Sequence, residues 1–169
     1  MEQAVFKQTY STTVILSVMK IYILYIITSL LTAWVILFLL GVSSGFANFI
    51  PIAGLLGSLL LFAVATPLLL YNSRTGLILG IIFLIAMLPY IFGFAKSGLE
   101  DGVFNWGIII SLLPSLVTLV TLYLSVKQIF FQPAINLSLP TNSTVKFVLA
   151  AIQVGITLLY FIFFGKEWF

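Results

Sequence analysis

The chain has no histidine and no cysteine, and only four acidic residues in 169. Without imidazole it lacks the common ligand to haem, copper and zinc and the usual general base near neutral pH. Without thiols it lacks disulfides, thiolate nucleophiles and iron–sulfur ligands. The acids are Glu2, Glu100, Asp101 and Glu167, each outside the apolar segments. A metal cage or an intramembrane proton relay needs a carboxylate within the membrane, and the sequence offers none. The seven basic residues are spread along the chain rather than run together, so nucleic-acid binding has no electrostatic footprint. The sequence therefore points away from an enzyme and calls for no cofactor and no bound metal.

What is abundant is hydrocarbon. Hydrophobic residues make up 62% of the chain and charged residues 7%, against roughly 25% charged in an ordinary soluble domain. A soluble fold of this length would have a surface of mostly bare apolar side chains. The expected class is an all-α, polytopic integral membrane protein.

The few charges punctuate the chain into spans. Ile21 to Ser73 is 53 residues without a charge, about 80 Å as one helix, whereas a bilayer core is ~30 Å thick. That stretch must hold two spans, broken at Gly41-Val42-Ser43-Ser44-Gly45, with Pro51 suited to the first turn of the second. The expected spans lie near 21–42, 49–71, 76–95, 104–126 and 146–165. Short loops join them into a single transmembrane domain over residues 1–169. The connection 128–145, with Pro133 and Pro140, reads as a loop that lays Ile129, Phe130 and Phe131 at the interface. Residues 1–20 read either as an extension of span 1 or as a surface segment. The apolar run after Lys20 is too long for a cleaved signal peptide.

Lys7, Lys20, Arg74, Lys127 and Lys146 fall on one side of this topology, and Lys96 and Lys166 on the other. Basic loops stay in the cytoplasm, so the N-terminus is expected inside and the C-terminus outside. The glycosylation patterns Asn136-Leu137-Ser138 and Asn142-Ser143-Thr144 would then face inward and stay unmodified. The expected location is the bacterial cytoplasmic membrane, with an organelle membrane as the alternative.

Helical phase adds what hydropathy cannot. At ~100° per residue, Gly107, Ser111, Pro114, Ser115, Thr118, Thr121 and Ser125 of span 4 share one sector. Tyr22, Tyr25, Thr28, Ser29 and Thr32 do so in span 1, and Lys146, Gln153, Thr157 and Tyr160 in span 5. Such stripes either pack helices together or line a polar path. Thr32, Ser111, Ser115, Thr118, Gln153 and Thr157 are the candidate contacts in either case. The small-residue pairs Ala53/Gly57, Gly76/Gly80 and Ala151/Gly155 are candidate close-packing surfaces, the last on the face of span 5 opposite Gln153. Pro67, Pro89 and Pro114 each free a carbonyl one turn earlier, as helices lining transport sites often do. Arg74, the only arginine, is a candidate contact to a lipid headgroup or a partner, and Glu100-Asp101 reads as a solvated loop. No internal repeat aligns.

Two functions remain. The first is a non-catalytic accessory or scaffolding subunit of a larger membrane complex, with lipids and other membrane subunits as partners. The alternative is a small transporter, or a substrate-binding transport component, for a neutral solute.

Overall fold

The computed structural model describes residues 2–42, 49–100, 106–131 and 142–164, with side chains over 18–39, 54–99, 108–130 and 142–162. All of the described elements are helical: α1 (Glu2–Val42), α2 (Phe49–Tyr71), α3 (Ser73–Glu100), α4 (Trp106–Phe131) and α5 (Ser143–Phe164). Each contains a stretch long and apolar enough to cross a bilayer, from Val18–Leu39 in α1 to Ser143–Ile162 in α5. The fold is all-α with five candidate membrane-spanning helices.

Two expected boundaries shift and one open alternative is decided. Residues 2–20 extend span 1 rather than forming a separate surface segment: they are the start of α1, which runs 41 residues, or about 60 Å. Span 3 is not confined to 76–95: α3 covers Ser73–Glu100 and takes in the polar segments at both its ends. Ile129, Phe130 and Phe131 are not in an interfacial loop but form the last turn of α4. The cause is common to all three. Charged and polar side chains end the apolar span, yet a helix leaving hydrocarbon keeps its backbone hydrogen bonds intact, so nothing obliges it to stop there. The expected starts of span 4 at 104 and end of span 5 at 165, and Pro133, Pro140, Gly107 and Ala53, lie outside the described residues or side chains.

Neighbouring helices alternate in direction, as their contacts show. In α1 and α4, Tyr25 meets Ser125 and Thr28 meets Thr121, which is antiparallel. A Cβ built on Gly54 of α2 would meet the Tyr90 ring of α3, and one on Gly76 of α3 would meet Leu69 of α2, again antiparallel. Ser115 of α4 reaches the Ile91 carbonyl of α3. Helices α1 to α4 thus form an up-down ring in which each packs on the next and α4 returns to α1. Across the ring α1 and α3 also touch, where Phe94 stands edge-on to Trp34 and Phe38 at 5.8 and 5.3 Å. Helix α5 lies outside the ring on the α1–α2 edge.

The core holds Tyr25, Ile36, Leu55, Leu59, Phe62, Leu69, Leu84, Met87 and Ile91, all fully or almost fully buried. The outer faces are equally apolar: Ile23, Leu30, Leu60, Ile82, Leu116, Leu158 and Ile162 are exposed. Helices that are apolar all round suit a hydrocarbon solvent, not water.

Alternation also sorts the charges. Lys20, Arg74, Lys127 and Lys146 stand at one end of the bundle, the basic end, while Lys96 and Glu100 stand at the other. At the basic end the turn between α2 and α3 is a single residue. The Asn72 side chain accepts from the Thr75 N–H at 3.3 Å, and its carbonyl accepts from the Gly76 N–H at 3.0 Å. Asn72 is therefore the N-cap that lets α3 begin at once.

Candidate functional site

The polar stripes of α1, α4 and α5 all turn inward. Thr32, Thr118 and Gln153 are fully buried, and Ser111, Ser115 and Thr157 nearly so. The structure brings the α1 and α4 stripes face to face and sets the α5 stripe against the neighbouring face of α1.

Along the α1–α4 seam the hydroxyls are stacked in register. The Tyr25 and Ser125 hydroxyls lie 3.3 Å apart and the Thr28 and Thr121 hydroxyls 3.1 Å apart. Most also bond within their own helix. Thr28 reaches the Leu24 carbonyl at 2.7 Å, Thr32 that of Thr28 at 2.8 Å, Thr118 that of Pro114 at 2.7 Å, Thr121 that of Val117 at 2.7 Å and Ser125 that of Thr121 at 2.7 Å. Buried hydroxyls in hydrocarbon need a partner, and a carbonyl one turn back is the nearest available. Ser111 does the same with Ile108 at 2.9 Å.

Two bonds tie α5 to α1. The Tyr22 hydroxyl donates to the Leu149 carbonyl at 2.7 Å, and the Gln153 amide nitrogen donates to Ser29 Oγ at 2.7 Å. Thr157 bonds back to the Gln153 carbonyl at 3.1 Å. The Gln153 side-chain oxygen is buried with no hydrogen-bond partner, as is Thr66 Oγ1 of α2. An amide oxygen left so in an apolar setting costs about 1–3 kcal/mol.

The small-residue positions divide. Gly76 and Gly80 are contact points within the chain. A Cβ at Gly76 would fall on the backbone of Leu68 and Leu69, and one at Gly80 would strike the Tyr25 hydroxyl and ring. Gly155 has nothing within 4 Å of where its Cβ would be, and Ala151 is exposed. That face of α5 is open, flanked by exposed Val148, Ile152, Leu158 and Leu159. Arg74 is exposed on the first turn of α3 and does not join the stripes.

Several positions escaped the sequence reading. Gly98 is one: a Cβ there would strike the Ser111 side chain. The glycine lies beyond the expected end of span 3 at 95, where the sequence offers no packing signal. Thr66 and Ser58 of α2 are buried too, but two hydroxyls in a span of leucines make no stripe. Tyr22 belonged to the α1 stripe, but its reach to a backbone carbonyl of α5 has no sequence signature. Among the described residues no group of three His, Cys, Asp or Glu could hold a metal ion. No protein-family model, no curated protein and no solved structure matches this chain.

Proposed function

We propose that the chain is an integral membrane protein acting as a non-catalytic packing subunit of a larger membrane assembly. Its basic end faces the cytoplasm, as in a bacterial cytoplasmic membrane. The observation that carries the reading is the asymmetry of α5. Its inner face is tied to α1 through Tyr22 and Gln153, while its outer face offers Ala151 and an unopposed Gly155. Small residues with open space above them let a second helix approach closely, which is how helices associate where lipid is as apolar as they are. The hydroxyls of the α1–α4 seam are satisfied within the chain, so they support the bundle without needing a substrate. Gentle extraction from native membranes followed by crosslinking at Gly155→Cys tests the proposal. A crosslink to another membrane subunit is expected, and recovery of a lone, uncrosslinked monomer overturns it.

A second reading, transport of a neutral solute, is favoured by one observation: the Gln153 side-chain oxygen, buried and without a partner. An acceptor held ready in hydrocarbon is what a solute with a hydroxyl or amide donor would use. Thr32, Ser111, Ser115, Thr118 and Thr157 would line its path. In a flux assay in vesicles this reading expects Gln153→Leu to abolish uptake, and unchanged uptake removes it.

A further inference from the structure

At the basic end, α5 and α2 bring a cation and an aromatic ring together, and the start of α3 sets a second cation close by along the chain. Lys146, in the first turns of α5, holds its Nζ 6.0 Å from the centre of the Tyr71 ring, the last residue of α2. The one-residue turn at Asn72 then places Arg74 three positions from Tyr71, on the first turn of α3. Tyr71, Asn72, Arg74 and Thr75 are exposed and Lys146 half-buried. Glu100 is at the far end of α3, so no acid of that helix competes for the arginine. Just below this polar collar α2 and α5 pack on each other, with exposed Val145 and Val148 on α5.

We propose that Tyr71, Arg74 and Lys146 form a binding site for the phosphodiester headgroup of an anionic phospholipid. The guanidinium offers a planar fork to two phosphate oxygens, the ammonium a second charge, and the tyrosine hydroxyl a neutral donor at headgroup level. The apolar surface of α5 below takes an acyl chain. The other lysine–tyrosine pair at this end, Lys127 and Tyr123 at 6.0 Å, is built differently. Both residues sit on α4, one helical turn apart, so a single helix supplies the pair. A general attraction of basic residues to the membrane surface would treat the two pairs alike, whereas a built site would not. The proposal rests on residence in a bilayer, and not on the packing-subunit reading.

The test uses the full chain in mixed phosphatidylcholine and phosphatidylglycerol vesicles, with retained lipid counted by native mass spectrometry. The unaltered chain is expected to keep phosphatidylglycerol over phosphatidylcholine. Arg74→Gln and Lys146→Gln are each expected to cut that preference roughly fivefold, and the pair more. Lys146→Arg is expected to retain it, and Lys127→Gln to change it less than twofold. Equal losses from Lys127→Gln and Arg74→Gln overturn the site, as does an undiminished preference in the double variant. Displacement of the lipid by inorganic phosphate also overturns it, because a soluble anion would then be the ligand. Failure of the chain to enter vesicles removes the bilayer reading itself, whereas entry without lipid preference removes the site alone.

Discussion

Between α1 and α4 the contact is made by hydroxyls, and between α2 and α3 it is made where side chains are missing. Tyr25, Thr28, Thr121 and Ser125 meet one another across the first seam. Across the second, Gly76 lies against the backbone of Leu69, and Gly54 lies under the ring of Tyr90. Lipid removes the hydrophobic reason for two helices to associate, leaving close packing and interhelical hydrogen bonds. This bundle separates the two means by interface. The glycine seam depends on shape and tolerates no added atom. The hydroxyl seam depends on many small polar contacts, each of which can be lost without opening a gap.

The comparison breaks most sharply at Gly76. Gly76→Ala puts a methyl group on backbone that cannot move aside, and a loss of about 3 kcal/mol is expected, the upper end of overpacking costs. Helix content followed during denaturation in detergent will read it, and a stability equal to that of the parent chain would show that shape does not hold this seam. Gly80→Ala is expected to cost about 1–2 kcal/mol, because what it strikes is the end of the Tyr25 side chain. Adding Tyr25→Phe removes the struck hydroxyl and should restore part of the loss, and absence of any rescue would place the conflict elsewhere. For the hydroxyl seam, a double-mutant cycle on Thr28→Val and Thr121→Val should give a coupling near 0.6 kcal/mol. A coupling of several kcal/mol would make the seam as demanding as the glycine one. Smallest of all, Gly155→Ala should leave the isolated chain's stability within about 0.5 kcal/mol, since nothing occupies that space. A marked loss of stability in the isolated chain would show that the outer face of α5 is filled from within.

The number of helices and the inward faces of α1, α4 and α5 were legible in the sequence. Eleven charges in an apolar chain divide it into stretches long enough to span a bilayer, and Ser and Thr at a helical period mark the side turned into the bundle. The ends of the helices were not legible, because a charge such as Lys96 ends a span without ending α3. Nor was the division of the glycines. Gly76/Gly80 and Ala151/Gly155 have the same spacing, yet one pair is covered by the chain's own helices and the other is open. Which helix neighbours which is a three-dimensional fact, and spacing along one helix does not encode it. The same limit concealed the Tyr71–Lys146 contact, whose members are 75 positions apart.

The Thr28 and Thr121 hydroxyls carry one proton each. Each has a carbonyl of its own helix at 2.7 Å, and the two oxygens are 3.1 Å apart. At any instant, then, a proton shared across the seam is withdrawn from a carbonyl, and a proton given to the carbonyl is withdrawn from the seam. Drawing α1 away from α4 at this level would leave neither hydroxyl stranded, because each falls back on its own helix. At this level the seam behaves as a reversible fastener, whose opening sacrifices packing but almost no hydrogen bonding. Tyr25 is held differently: its hydroxyl meets Ser125 across the seam at 3.3 Å, and parting the helices there would cost that contact.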